Sequence, residues 1–362
     1  MEIQEYKCPN CAGTVKFDSS SQKLKCPSCD TEFEIEALDE YNKDLAVQAQ
    51  DNFNWDVSKA GSEWEGGELD DLAMGSCPSC GAELIGDQNT IAMVCPCCGN
   101  AQIVQKRISG MLKPEYCIPF QLEKKAATEA LKKFYEKKRL LPNLFSTENQ
   151  VNKIQGMYAP FWLFDAKANA KITFKATKVK AWSDSNYSYT KTDHYSVVRN
   201  GSLAFERIPV DGSEKLDDAY MDAIEPFDYN QMKGYQSAYL AGYSAEKYDV
   251  DADASKERAN TRIKKSIETE FAKTVTGFNS VVIQNSSVNV GSGKVSYALM
   301  PIWILNTKYK NENYQYIMNA QTGLIVGKLP VDKGKAWKYR FMFTFGIGAV
   351  LTVILSLLRA FA

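Results

Sequence analysis

Cysteine spacing restricts this 362-residue chain more than any other feature of its sequence. Cys8-Pro9-Asn10-Cys11 is followed after fourteen residues by Cys26-Pro27-Ser28-Cys29, and Cys77-Pro78-Ser79-Cys80 is followed, again after fourteen, by Cys95-Pro96-Cys97-Cys98. Two C-x2-C knuckles at hairpin distance suit a tetrahedral Zn(II) ion held by four thiolates in a closed structural site. The spacing therefore predicts two zinc ions per chain, one on Cys8, Cys11, Cys26 and Cys29, the other on Cys77, Cys80, Cys95 and Cys98. Cys97 competes with Cys98 for the fourth position of the second site, and the C-x2-C spacing alone selects Cys98. The competing chemistry is a disulfide or a thioredoxin-like redox pair; a reducing compartment and the lack of a βαβ setting oppose it. Cys117 stands alone and reads as a buried apolar side chain.

The runs around the knuckles are strand-like: Thr14–Phe17 and Phe33–Ile35 in the first copy, and Glu83–Ile85, Thr90–Val94 and Gln102–Val104 in the second. Each module is too small for its own hydrophobic core, so metal supplies its folding free energy. On this basis residues 1–36 and 76–107 are two independent zinc ribbons. Serine at Cys8 or Cys77 should then unfold one ribbon and spare the rest. Between them, 37–75 reads as an acidic flexible linker, with a short helix over 37–50. From Asp51 to Ala73 it has seven carboxylates against Lys59 alone. Trp55 and Trp64 are out of place in a solvated linker, and docking of these rings on a partner is the functional option.

Residues 118–330 read as a duplicated α+β domain. A helix over Leu122–Arg139 carries an apolar stripe of Ala126, Ala127, Ala130, Leu131 and Phe134, and Pro160-Phe161-Trp162-Leu163-Phe164-Asp165 opens a long strand. The order returns 141 residues later, with a helix over 254–273 and then Pro301-Ile302-Trp303-Ile304-Leu305-Asn306. Proline is tolerated at the first residue of a strand, and tryptophan there fills core. Asn200-Gly201 signals a type I′ hairpin, and Gly291-Ser292-Gly293 and Asn311-Glu312-Asn313 mark further turns. The fold class is α+β: two small four-cysteine zinc ribbons, a mainly antiparallel β domain with two helices, and a C-terminal transmembrane helix.

That last helix is Phe341 to Leu358, eighteen residues without a charge. At about 1.5 Å per residue it spans roughly 27 Å, against about 30 Å of bilayer hydrocarbon. It is apolar on every face, unlike a helix packed at a protein surface. Lys333, Lys335, Lys338 and Arg340 precede it and Arg359 alone follows, which places the N-terminal domains in the cytoplasm; Trp337 and Tyr339 suit the interface. The opening MEIQEYKCPN has no signal-peptide pattern, so the expected location is the cell membrane, single-pass and tail-anchored. Gly348, Thr352, Ser356 and Ala360 form a stripe of small residues suited to a second membrane helix.

No motif for chemistry is present: no G-x-x-x-x-G-K-[ST], H-E-x-x-H or G-x-S-x-G occurs, and four-thiolate sites leave no open metal position. His194, the single histidine, sits in a strand beside Asp193 and reads as structural. The chain is therefore not expected to be an enzyme, and no small-molecule substrate is expected. The helix Leu122–Arg139 carries seven cations against three glutamates; it suits a solvated face, anionic lipid or nucleic acid alike.

The opening YKCPNCAGTVKFDSSSQKLKCPSCDTEFEIEAL, the blocks YAPFWLFDA, RIPVDGSEKLDD, IEPFDY, YLAGYSAEKYDVD and YALMPIWILNTKY, and the late NAQTGLIVGKLP carry a resemblance over nearly the whole chain. It resembles a bacterial family of TFIIB-type zinc-ribbon-containing membrane proteins of the YdjG type, encoded alongside a PspA-like phage-shock protein and an SPFH-type protein. All eight knuckle cysteines match the pattern; Asn319–Leu324 departs from it, reading NAQTGL where NGQTGK is the family form. The resemblance implies a non-enzymatic membrane adaptor that recruits such envelope-stress proteins or a second membrane protein.

The alternative is a membrane-tethered, nucleic-acid-binding ribbon protein, and charge discriminates between the two. Residues 7–35 hold four lysines and four carboxylates, and residues 76–107 hold Lys106 and Arg107 against Glu83 and Asp87. Neutral modules lack the phosphate-directed charge on which nonspecific binding rests. Fluorescence anisotropy with duplex DNA should therefore show no submicromolar affinity in the full chain. A steeply salt-dependent, submicromolar curve would reverse the preference.

Overall fold

The computed structural model describes residues 6–11, 13–39, 50–69, 72–87, 94–106 and 110–360. Most of the helix expected over 37–50 and of the strand expected over 90–94 lies outside the described residues. In chain order the strands are β1 (Lys16–Asp18), β2 (Lys23–Lys25), β3 (Glu32–Phe33), β4 (Asn52–Asp56), β5 (Leu72–Ser76), β6 (Glu83–Asp87), β7 (Val104–Lys106) and β8 (Tyr116–Cys117). Helix α1 (Lys124–Glu136) and the single turn α2 (Glu148–Val151) precede the long strands β9 (Gln155–Ser183) and β10 (Ser188–Asp211). Then follow α3 (Asp218–Ala223), β11 (Lys233–Gly234), β12 (Ser244–Glu246), α4 (Lys256–Lys273), β13 (Ser280–Tyr309), β14 (Glu312–Asn319), β15 (Ile325–Gly327) and α5 (Lys333–Ala360).

The chain divides into two compact units. The first comprises Met1–Asp56, Phe164–Ile208 and Lys256–Lys294. Along β9 in this unit Ala166, Ala168, Ala170, Ile172 and Phe174 are buried while Lys167, Asn169 and Lys171 are exposed, the period-two pattern of a half-buried strand. Helix α4 buries Ala259, Ile263, Ile267 and Phe271, four apart on one face. The first knuckle pair surrounds the small sheet β1-β2-β3, with Val15, Leu24 and Leu38 as its core.

The acidic segment is not a flexible tether. Residues 52–56 form β4, which pairs in parallel with β13 in the register Asn52–Asn289 and Trp55–Gly293. Trp55 is buried; its Nε1 donates to Asn260 Oδ1 at 2.7 Å and its ring meets Phe164 edge-on at 5.0 Å. A Cβ at Gly293 would collide with this indole, so the Gly-Ser-Gly expected to be a turn is instead a register shift within β13 that admits the ring. Asp51 pairs with Lys264 at 2.6 Å. Composition registers the carboxylates but not their lysine partners, which lie far along the chain.

Asn200-Gly201 is not the hairpin either. Strand β10 runs straight through it, and the turn is Asp184–Tyr187, where Asp184 Oδ1 accepts the N–H groups of Asn186 (2.9 Å) and Tyr187 (2.7 Å). Gly201 serves close packing: a Cβ there would lie 3.3 Å from the Phe271 ring.

The second unit comprises Val57–Leu163, Pro209–Ser255 and Val295–Ala362. Its sheet runs β11-β8-β13-β9-β12-β6-β5-β7, with β14 on β13 and β15 on β14. Residues 57–69 pack within it: Ser62 exchanges backbone hydrogen bonds with Lys113, Glu68 forms an ion pair with the Lys113 ammonium, and Trp64 meets Tyr235 edge-on at 5.9 Å. Both tryptophans of the expected linker thus pack against their own chain.

The two Pro-x-Trp runs are placed alike in this unit, although the expected domain 118–330 is itself divided, with Phe164–Ile208 and Lys256–Lys294 in the first unit. Pro160 and Pro301 lie inside β9 and β13 rather than opening them, and their carbonyls accept Gly212 N and Ala320 N. Trp162 and Trp303 are both buried and both donate Nε1 to a backbone carbonyl, of Val250 (2.8 Å) and Leu122 (3.0 Å). The β13–β14 hairpin turns at Lys310-Asn311, both at positive φ, one residue before the expected Asn-Glu-Asn. The NAQTGL turn is held by Asn319, fully buried, whose Oδ1 accepts Gln321 N and Thr322 N.

Helix α5 contains a segment, Lys333–Leu357, long and apolar enough to cross a membrane, and none of it is buried. The hydroxyls of its small-residue stripe are engaged within the helix: Thr352 Oγ1 donates to Gly348 O at 3.0 Å and Ser356 Oγ to Thr352 O at 2.7 Å.

Replacing Trp55 by Ala removes a buried ring and its hydrogen bond and should cost about 3–5 kcal/mol of stability in urea unfolding of the membrane-solubilised chain. A loss below about 0.5 kcal/mol, as for an exposed position, would restore the solvated-linker reading.

Candidate metal centres

The eight knuckle cysteines assemble into two groups. In each group the four sulfurs lie within 4.8 Å of one another: Cys8, Cys11, Cys26 and Cys29 in the first unit, and Cys77, Cys80, Cys95 and Cys98 in the second. Sγ–Sγ separations are 3.6 Å for Cys8–Cys29 and 3.5 Å for Cys11–Cys26, and 3.6 Å for Cys77–Cys98 and 3.7 Å for Cys80–Cys95. A tetrahedron with Zn–S bonds of about 2.3 Å has edges of about 3.8 Å, so both groups fit a four-thiolate Zn(II) ion.

Backbone turns set this geometry. In the second site Cys77 N donates to Ala82 O and Gly81 N to Cys77 O, each at 2.9 Å, and Cys95 N donates to Asn100 O (2.7 Å) and Gly99 N to Cys95 O (2.8 Å). Gly81 and Gly99 sit at φ +77° and +76°, where Cβ is disfavoured, and each directly follows its C-x2-C pair. In the first site the corresponding residue after Cys29 is Asp30, at φ 56°.

Cys29 and Cys26 in the first site and Cys95 in the second are held below the usual thiol range. Cys29 lies at about 6, chiefly because Thr31 Oγ1 sits 3.2 Å from its sulfur, with the Thr31 N–H assisting. Cys95 lies at about 5, through the Cys97 thiol first and then the N–H groups of Cys98 and Cys97. A thiolate present at neutral pH is ready to take metal.

Cys97 and Cys98 differ in their surroundings. Cys98 joins the cluster, whereas Cys97 Sγ lies between Cys95 and Glu246 Oε1, 3.6 Å from the latter. Glu246 was not foreseeable from sequence: it lies in the short β12, is 1% exposed, and burial pushes its carboxyl up to about 8 despite a bond from Ser213.

The two sites differ in setting, which corrects the picture of two independent ribbons. Cys77, Ala82, Leu84, Cys95 and Cys97 belong to the same hydrophobic cluster as Phe161, Met300 and Ile302. Strand β6 pairs with β12 (Ala245–Ile85), and β12 pairs with β9 (Ala245–Tyr158). The second ribbon is an edge of the sheet, so disrupting Cys77 reaches the sheet's own core. The first has its small cluster and a tie to β9, Lys175 Nζ to Pro9 O at 3.1 Å.

Among the described residues the remaining candidates do not gather into a site. Cys117 is fully buried and burial pushes its thiol up to about 12. His194 is held below its usual range by burial and then by Lys175, with Asp193 as the neighbouring carboxylate. Beside the second knuckle opens a cleft of about 910 Å³, where Cys98, Gly99 and Asn100 face Lys124, Lys153 and Lys308, with no carboxylate in its lining.

YdjG, an uncharacterized protein of Bacillus subtilis (strain 168), is 35% identical to this chain over 337 residues, covering 92% of this chain and 93% of the relative. No family model and no solved structure matches the chain.

Elemental analysis of the reduced, full-length chain should give two zinc ions. Cys97→Ser should keep both and Cys98→Ser should retain one. Two zinc ions in Cys98→Ser and one in Cys97→Ser would exchange the roles of these neighbours.

Proposed function

The chain belongs to the YdjG family, and from that premise we propose that it is a non-enzymatic adaptor, tail-anchored in the cell membrane with its ribbons and β domains in the cytoplasm. The single observation that carries this reading is the conjunction of two closed four-cysteine sites with a helix of membrane-spanning length. A closed tetrahedral site stabilises structure and leaves no coordination position for substrate or water. Lys333, Lys335, Lys338 and Arg340 before the apolar run, against Arg359 after it, support the cytoplasmic orientation.

Protein contacts are favoured over nucleic acid because the lysines of the first ribbon are partly consumed internally. Lys23 pairs with Glu34 at 2.7 Å and Lys25 with Asp30 at 3.5 Å. The cleft beside the second knuckle offers three lysines that enter no ion pair among the described residues, a surface suited to an acidic protein segment. The TFIIB-type ribbon assignment and partnership with PspA-like and SPFH-type envelope-stress proteins follow the resemblance of the sequence blocks, and belong to the same proposal.

Crosslinking in intact membranes tests it, with the full chain compared against a version lacking residues 341–362. Peripheral cytoplasmic proteins should be captured by the full chain and lost with the truncation. Capture of nucleic acid instead, or an identical set of partners from the truncated chain in the soluble fraction, would contradict the adaptor reading.

A further inference from the structure

At the foot of helix α5 is a second, smaller pocket, of about 410 Å³, lined by Lys132, Lys138, Arg139 and Lys335 with Glu136 as its one carboxylate. Four cations against one carboxylate give it a formal charge of +3. The site is built rather than incidental. Asp332 N donates to Leu140 O at 2.8 Å, Lys335 N donates to Asp332 Oδ1 at 3.0 Å, and Lys335 Nζ donates to Leu141 O and Asn143 Oδ1, each at 2.6 Å. The loop after α1 is thereby clamped to the first turn of α5, which keeps the cations of α1 beside that helix. Lys335 retains one further N–H donor, since an ammonium has three.

Position relative to the apolar run identifies the ligand. Lys335 precedes Phe341 by six residues, about 9 Å along a helix. The headgroup layer outside the hydrocarbon is about 5–8 Å thick on each side. A chain anchored through α5 therefore holds this pocket at the outer edge of the headgroups. Arginine offers a planar fork for phosphate oxygens and lysines add point charges, the combination that recognises a phosphate monoanion. Basic pockets beside membrane helices take anionic headgroups by this chemistry.

We propose that this pocket binds the phosphate of an anionic phospholipid, so that the lipid fixes the angle between the second unit and the membrane surface. The inference rests on the membrane anchoring proposed above. Lys132 also approaches Glu148 at 3.8 Å, and on lipid binding it exchanges this exposed contact for the headgroup.

The test uses the full chain in detergent, with native mass spectrometry counting retained phosphatidylglycerol or phosphatidylcholine. The wild-type chain should retain phosphatidylglycerol at least tenfold better, and K132Q/K138Q/R139Q should reduce that preference to within twofold while keeping two zinc ions and the native circular dichroism. K124Q/K153Q/K308Q, which removes the same charge from the other cleft, should leave it unchanged. Equal retention by the K132Q/K138Q/R139Q variant would overturn the proposal. So would displacement of the lipid by equimolar glycerol 3-phosphate, which would make the site one for soluble phosphate. Flotation with vesicles of phosphatidylcholine alone reports anchoring separately: a chain that floats without lipid preference refutes the pocket and keeps the anchor, and a chain that does not float refutes the anchor.

Discussion

Burial of a four-thiolate site inside an apolar cluster is the constraint on which the second unit depends. Cys77 and Cys95 are almost fully buried, and their neighbours in the cluster are side chains of the main sheet. Two buried thiolates beside the half-buried Cys80 and Cys98 are untenable without a cation, because Cys77 and Cys95 would carry their charge into a low-dielectric interior. Zn(II) neutralises half of the charge of the four thiolates and the knuckle amides address the sulfurs, so metal and core are one cooperative element. The short strands β5, β6 and β7 have too few apolar residues to hold an edge of the sheet alone; tied by metal, they extend it through β12 to β9.

The first site shows the same ligand chemistry in another role. Its cluster is small, and Cys11 is exposed. Metal there orders a compact module, whereas in the second unit it completes a core. Two copies of one sequence motif have thus taken different positions in the fold, and the difference lies in what surrounds Cys77 and Cys95 rather than in the knuckles.

Local signals were legible in the sequence: the ligand spacing, the helices α1 and α4, the repeated Pro-x-Trp strands, and the apolar terminal helix. These depend on neighbours within a few residues. What was not legible depends on contacts far along the chain. Asp51 reads as a linker charge until Lys264 stands beside it, and Trp55 as an exposed ring until Asn260 and Gly293 receive it. Asn200-Gly201 carries a strong turn preference, but Phe271 needs the space above Gly201, and the Asp184 side chain supplies an alternative turn. Glu246 gave no signal because nothing in its own segment announces burial. The small-residue stripe of α5 was legible as spacing, but its hydroxyls close back on their own helix.

Hydrogen exchange on Cys77→Ser and Cys8→Ser, read by mass spectrometry, tests most directly whether the second metal site is part of the sheet's core. Cys77→Ser should lose amide protection throughout 155–163 and 295–304 as well as in its own ribbon. Cys8→Ser should lose it near the first knuckles while the second unit keeps its protection. Loss confined to 72–106 in Cys77→Ser, with the long strands protected as in the parent chain, would contradict the account.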